Sequence, residues 1–411
     1  MIAACAPCLR RAHLLGHLAG SIAGLLDRPG RRAAGLLALP EEQLLAAVVG
    51  ERSGAARAFL EAFDPDAARG WLRSRSLGAV CRHADAYPAV LQALSDPPAV
   101  LFLAGRAAAL APGALGSAVA LVGTRNASPY GLEIAYELGR GLGAAGVTVV
   151  SGLALGIDAA AHRGCLDAGG SAVAVLAGGA DVPYPRTNRR VYERIRATGA
   201  VVSELPPGQR AYRWAFPARN RIMAGLAQVT VVVEAADPSG SLITSVFAAD
   251  LGRTVAAVPG RATSRFSAGS NRLLKDGALM VTSVGDLLDE LFGPGAGPPR
   301  APAAGPPPWR AAPELAVVNG DRPGVGGEPL APGSDRSADG SRGRAVGSRG
   351  QLDPVEQDAL DAVEAGLGVD GVSACAGLPA REVRALLTRL EASGHLRRDG
   401  LGGYLRTGAV P

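Results

Sequence analysis

The chain has 411 residues, 48% of them hydrophobic, with a mean hydropathy of +0.16; that length predicts roughly two to three domains. Charged residues break every apolar run short of the roughly 20 residues a membrane helix needs, which excludes a helical membrane protein and predicts a soluble one. The formal net charge of +5 rests almost wholly on arginine, because Lys275 is the only lysine; it stands between Leu274 and Asp276, which excludes a Gly-Lys-Ser/Thr nucleotide loop.

Cys5, Cys8, Cys81, Cys165 and Cys375 are odd in number and scattered. That pattern predicts a reducing cytoplasm rather than a disulfide framework. Arg10 and Arg11 before LLGHLAGSIAGLL faintly mimic a signal sequence, but no small-x-small cleavage site follows and export is not expected.

Taken in order, residues 1–85 read as a helical module, with apolar spacing in HLLGHLAGSIAGLL, AAGLLALPEEQLLAAVV and ARAFLEAFDPDAARGWLRSR. Asp96-Pro97-Pro98 then forces an extended turn before AVLFLAG, which reads as a buried strand. Residues 86–292 form the core. Within it, strands such as VALVG, VTVVS, AVAVLA, AVVSE, VTVVVEA and TVAAVPG alternate with helices. Strands that are apolar throughout predict a mostly parallel sheet covered on both faces, an α/β, Rossmann-like, doubly wound domain.

Residues 293–352 hold 11 prolines and 13 glycines in 60 positions, a composition expected of a disordered linker. Residues 353–411 read as three helices followed by the two-stranded HLRRDGLGGYLR, a winged helix-turn-helix. Its third helix carries Arg381, Arg384 and Arg389 but also Glu382 and Glu391, so both DNA contact and a protein-interaction role stay open.

The chemistry concentrates between Gly123 and Glu234. Gly123-Thr124-Arg125, Ser151-Gly152, Gly178-Gly179 and Ser239-Gly240-Ser241 all follow predicted strands, at the sheet edge where ligands bind. Glycine lets a ligand approach the backbone closely, and a helix starting just beyond offers free N–H groups to an anion. Between Arg186 and Arg221 lie nine arginines and only two acids, Glu193 and Glu204, which points to a polyanion. The expected site is a phosphate pocket.

Other motifs compete. Gly141 to Gly146 spells G-x-G-x-x-G, but it ends a helix and precedes a strand, the reverse of a dinucleotide fingerprint. Asp158 and His162, four apart on one helix, and Glu234 at a strand end offer an acid–base set for hydrolysing a nucleotide; against this, Asp158 is placed to satisfy helix N–H groups and Glu234 to orient an arginine. Cys5-x2-Cys8-x4-His13-x3-His17 has zinc-like spacing without a second chelating loop, and neither a metal nor a cofactor is expected. Tyr130, Tyr184, Tyr192, Tyr212, Trp214 and Phe216 cluster around the arginines, where one or two are expected to stack on bases and the rest to be core.

The strings YPAVLQALSDPPAVLFLAG, VGTRNASPYG, SGLALGIDAAAH, GGADVPYPRTN, SELPPG, FPARNRIMAGL, SGSLIT and AGSNRLLKDGA together resemble the DNA-processing protein A family, also called Smf. The resemblance implies a Rossmann-like core that binds single-stranded DNA without catalysing a reaction, forms a homodimer and loads the RecA recombinase during natural transformation. By motif it makes Arg125, Arg186, Arg219, Asn220 and Arg221 phosphate ligands, with Gly123, Gly152, Ser239, Gly240 and Ser241 lining the pocket and Asn271 and Lys275 near it. The N-terminal region departs from the family by lacking a Gly-Leu-Gly-Pro turn. A nucleotide-processing hydrolase and a nucleotide sensor remain the alternatives.

Overall fold

A computed structural model describes residues 2–26, 35–295, 353–364, 369–393, 395–398 and 404–406. The Pro/Gly-rich stretch read as a linker lies almost entirely outside the described residues, as does the tip expected for the C-terminal wing.

The chain enters through a two-residue strand, β1 (Ile2–Ala3), followed by the helices α1 (Ala6–Leu26), α2 (Glu41–Val48), α3 (Gly54–Ala62) and α4 (Pro65–Ser74). Asp64 caps α4 by accepting from the N–H groups of Asp66 and Ala67, and Pro65 supplies a preset first-turn φ. β2 (Leu77–Cys81) and β3 (Val100–Gly105) come next, then α5 (Pro112–Leu115) and β4 (Val119–Val122). From there strand and helix alternate: α6 (Pro129–Ala144), β5 (Val149–Ser151), α7 (Ile157–Asp167), β6 (Ala172–Val175), α8 (Arg189–Thr198) and β7 (Ala200–Ser203). The alternation continues with α9 (Ala215–Leu226), β8 (Val229–Val232), α10 (Ser241–Asp250), β9 (Thr254–Ala257), α11 (Ala268–Lys275), β10 (Leu279–Met280) and α12 (Val284–Phe292).

The first ten strands join in one sheet in the order β1-β2-β3-β7-β6-β5-β4-β8-β9-β10. From β7 to β10 every neighbouring pair is parallel. β4 to β7 are laid down in one direction and β8 to β10 in the other, so the winding reverses between β4 and β8. Such a switch point opens a crevice at the carboxyl ends of the strands. β4 to β8 are buried along their whole length, with apolar clusters on both faces of the sheet.

The N-terminal stretch differs from the purely helical reading. β1 runs parallel to β2 in the same sheet as the core, and β3 is antiparallel to both β2 and β7. The sheet therefore crosses the expected boundary at residues 85/86. Two residues are too few to carry any periodicity, and LGAVC is buried throughout, so it lacks the alternation that marks a strand with one wet face. α1 to α3 form a separate apolar cluster that reaches Trp214 and Ala215 at the start of α9.

At the other end, α13 (Pro354–Glu364), α14 (Val369–Ala376) and α15 (Ala380–Ala392) enclose their own apolar cluster, and β11 (Leu396–Arg398) pairs antiparallel with β12 (Tyr404–Arg406).

Candidate nucleic-acid interface

The switch point holds a cleft of about 470 Å³. One wall is Gly123, Thr124, Arg125 and Asn126 after β4; the other is Ser239 to Ser241 and Thr244 at the start of α10. Arg219, Asn220 and Phe216 of α9 and Asp158 of α7 complete it. α6, α7 and α10 all begin at this edge, so three positive dipole ends flank one opening.

Each wall is braced from behind. Ser128 caps α6 by accepting from Gly131 N–H at 3.1 Å, while its own N–H and hydroxyl donate to Glu234 at 2.8 and 2.7 Å. Glu234 is buried, so both oxygens of its carboxylate are spent on holding a helix start rather than on chemistry. Across the cleft, Asn220 Nδ2 donates to the Gly240 carbonyl at 3.1 Å, and the Ser239 and Ser241 hydroxyls meet at 2.8 Å. Leu153 holds a left-handed φ of 57°, unusual for a side chain of that size, and Asn188 donates to its carbonyl at 2.9 Å.

Arg219 is 7% exposed. Its Nη1 donates to the carbonyls of Gly152 and Val175, and its Nη2 lies 3.8 Å from Asp158 Oδ2. A side chain at position 152 would collide with the guanidinium, which is why glycine occupies that turn. Burial lowers the Arg219 pKa to about 10 despite the nearby Asp158 carboxylate, so it remains charged at neutral pH. Burial likewise raises the Asp158 pKa, against the pull of Arg219. The same carboxylate accepts from Gly152 N–H at 3.1 Å and Ala154 N–H at 3.3 Å. It orients an arginine and a turn, as its place one residue inside a helix start implies. His162 is fully buried, and burial lowers its pKa to about 3, which keeps it neutral and makes it unsuited to act as a general acid or base near pH 7.

Phe216 lies against both cleft arginines, with Arg125 Cζ 4.7 Å and Arg219 Cζ 5.7 Å from its ring centroid. Tyr184 packs on it at 5.6 Å. Of the other aromatics, Tyr192 and Trp214 are buried, their polar ends donating to the carbonyls of Ala180 and Ala19. Tyr130 is 45% exposed and hydrogen-bonded to the Pro259 carbonyl.

The structure thus gathers Gly123, Arg125, Arg219, Asn220, Ser239, Gly240 and Ser241 around one cleft, with Gly152 directly beneath Arg219. Four expected residues lie elsewhere. Arg221 is the correction that matters most: it is 2% exposed, with Nε 2.9 Å from Asp96 and Nη2 2.8 Å from Glu204, so its charge is already neutralised. Arg186 is exposed on a short turn, Arg186–Asn188, close enough to α13 for Asp358 to feel its charge. Asn271 is occupied with both the N–H and the carbonyl of Gly260, at 3.0 and 3.1 Å. Lys275 is exposed at the end of α11. The sequence reading missed Asn126 and Thr244 as cleft-lining residues, although the first belongs to the same VGTRN string as Thr124 and Arg125. The G-x-G-x-x-G string does end α6, and there Gly143 lies against the backbone of α7, a helix-packing role.

A family model described as DNA recombination-mediator protein A matches residues 78–292. The chain belongs to this family. The putative DNA processing protein DprA of Mycobacterium tuberculosis is 49% identical over 172 residues, 42% of this chain and 44% of that relative. The DNA processing protein DprA of Streptococcus pneumoniae is 41% identical over 206 residues, half of this chain and 71% of that one. The match thus spans less than half the length of the mycobacterial relative. The solved structure of the pneumococcal protein superposes with a TM-score of 0.53 and 31% identity, covering 69% of this chain and 95% of its own. Family membership agrees with the resemblance carried by the motifs. Among the described residues no helix is long and apolar enough to cross a membrane.

Proposed function

We propose that the protein binds single-stranded DNA through the β4/β8 cleft, without catalysis, and helps to load the RecA recombinase onto it during DNA uptake and recombination. One observation carries this reading. Two arginines lie against an aromatic ring where three helix starts converge, with Asp158 as the sole acid among the lining residues. Backbone N–H groups and arginines suit phosphates, and Phe216 with Tyr184 offers an aromatic surface against which a base can stack. A non-catalytic role is supported by the commitments of Asp158 and Glu234, both held by backbone N–H groups.

The proposed ligands are Arg125, Arg219, Asn220, Ser239, Ser241 and the main chain at Gly123, Gly152 and Gly240. Arg186, Asn271 and Lys275 are assigned to flanking stretches of the strand. The proposed organisation is a module at 1–85, the DNA-binding core at 86–292, a linker at 293–352 and a winged helix at 353–411. The three helices, their separate apolar cluster and the antiparallel β11–β12 pair support the last of these. Homodimerisation and the RecA partnership rest on the family resemblance, and a cytoplasmic location on the odd, scattered cysteines.

The test is a titration of the full chain with single-stranded oligonucleotide, duplex and mononucleotide. Single strands are expected to bind tightest, with log affinity falling linearly in log salt by about 0.7 per phosphate neutralised. Equal affinity for duplex would overturn the reading. Saturable mononucleotide binding without polymer preference would replace it with a nucleotide sensor, and release of base or phosphate from nucleoside monophosphates with a hydrolase.

A further inference from the structure

The four atoms Cys5 Sγ, Cys8 Sγ, Cys81 Sγ and a ring nitrogen of His83 lie within 4.8 Å of one another. They come from two places in the chain. Cys5 immediately precedes α1 and Cys8 is in its first turn, while Cys81 ends β2 and His83 follows it in the next turn. The parallel register of β1 on β2, Ile2 opposite Ala79 and Ala3 opposite Val80, brings the pairs together. The sequence reading paired Cys5 and Cys8 with His13 and His17 and expected no metal. The structure corrects the pairing: His13 packs against Phe63 at 5.0 Å and His17 stacks on Phe59 at 4.4 Å. The missing second loop is Cys81-x-His83.

The spacing can be compared with that of a tetrahedral metal. Zinc holds thiolate sulfur at about 2.3 Å and imidazole nitrogen at about 2.0–2.1 Å, so a tetrahedron around it has sulfur–sulfur edges of about 3.8 Å and sulfur–nitrogen edges of about 3.6 Å. Cys5 Sγ lies 3.8 Å from Cys81 Sγ and 3.6 Å from His83 Nδ1, and Cys8 Sγ lies 3.3 Å from the same nitrogen. Three sulfurs and one imidazole are a donor set selective for a borderline-soft cation over calcium or magnesium. The surroundings suit bound thiolates: the Cys5 N–H points at Cys81 Sγ at 3.4 Å, and the start of α1 directs its positive end toward Cys8.

We propose that Cys5, Cys8, Cys81 and His83 form a structural zinc site that clamps the start of the chain to the edge of the sheet. Four protein ligands leave no open position, so the role is structural rather than catalytic. The clamp supplies what β1 lacks, since a two-residue strand has too few ladder bonds to hold itself in place. It also ties a segment before the family-matched stretch to Cys81 and His83 within it.

The experiment uses the full chain, purified reduced without chelators, with metal content measured by mass spectrometry. About one zinc per chain is expected. Apoprotein titrated with cobalt(II) should develop the sulfur-to-cobalt charge-transfer and intense d–d bands of a tetrahedral thiolate site. Cys81→Ser should lose the metal, His83→Ala should hold cobalt at least about tenfold more weakly, and His13→Ala should keep both stoichiometry and spectrum. His83 is exposed, so its variant retains the fold and reads the site even where Cys81→Ser does not express. The proposal is overturned if the wild-type chain gives no tetrahedral cobalt spectrum, or if His83→Ala binds cobalt as the wild type does. It is equally overturned if the reduced, metal-replete chain carries no zinc and air oxidation instead joins Cys5 to Cys81.

Discussion

The two sides of α9 carry one arginine each, and the two have opposite fates. Arg219 and Arg221 are two positions apart, about 200° around a helix, so one faces the cleft and the other the packed layer behind it. Arg219 keeps its charge at the cleft floor, held in place by the carbonyls of Gly152 and Val175. Arg221 spends its charge on Asp96 and Glu204, and so locks the segment before β3 and the end of β7 onto the helix. The same residue type two steps away lines the cleft on one side and serves architecture on the other. The difference lies in what surrounds each guanidinium, namely two acids for Arg221 and a single distant carboxylate for Arg219.

That division can be tested by changing residues on each side. The largest effect is expected for Arg221→Ala, which leaves Asp96 and Glu204 without their cation. Breaking such a pair costs about 3–5 kcal/mol, and the partial exposure of both carboxylates puts this case near about 3 kcal/mol. Urea unfolding measures it, and the folded fraction should still bind single-stranded DNA as the wild type does. Loss of DNA affinity from a fully folded Arg221→Ala protein would erase the distinction.

Next comes the pH dependence set by His162, beneath the cleft on α7. Its folded pKa, about 3, lies below the ordinary 6.5, so the unfolded chain takes up a proton that the native one refuses. Its contribution is fully present above pH 6.5 and is lost as pH falls toward 3. Linkage gives a loss of about 2 kcal/mol between roughly pH 7 and 5. Urea midpoints of the wild type and His162→Asn across that range check it; the variant should show a shallower pH slope, and parallel slopes would refute the assignment.

Arg125→Ala removes a charge from the cleft wall without opening the core. The expected outcome is an unchanged urea midpoint with about tenfold weaker single-strand binding and a salt slope shallower by about 0.7. The smallest effect belongs to Ser128→Ala, which removes the α6 cap and one partner of Glu234 at a cost of about 1 kcal/mol. A melting-temperature drop with near-normal DNA affinity would place it on the architectural side.

The cleft was legible in the sequence because each of its turns is a local string, a strand ending in glycine followed by a helix start. Parallel strands bring such strings to one edge whatever their exact order. Three things were not legible. FPARNR does not say which side of its helix is covered, and Asp96, which decides the matter for Arg221, lies 125 residues earlier in the chain. β1 is too short to have a period. The cysteine–histidine cluster is assembled across 75 to 78 residues by strand register, so proximity in sequence pointed to His13 and His17 instead of Cys81 and His83.

The reversal of strand winding between β4 and β8 has a consequence for the order in which the protein is made. A ribosome completes the Gly123–Asn126 wall before it adds α9, and adds the Ser239–Ser241 wall only after β8. Domains generally fold as units, and pairing strands so far apart is slow. A nascent or truncated chain ending before Ser239 has one wall and no opposing one, however well its first strands have paired. The cleft as a two-walled site therefore arises late in translation.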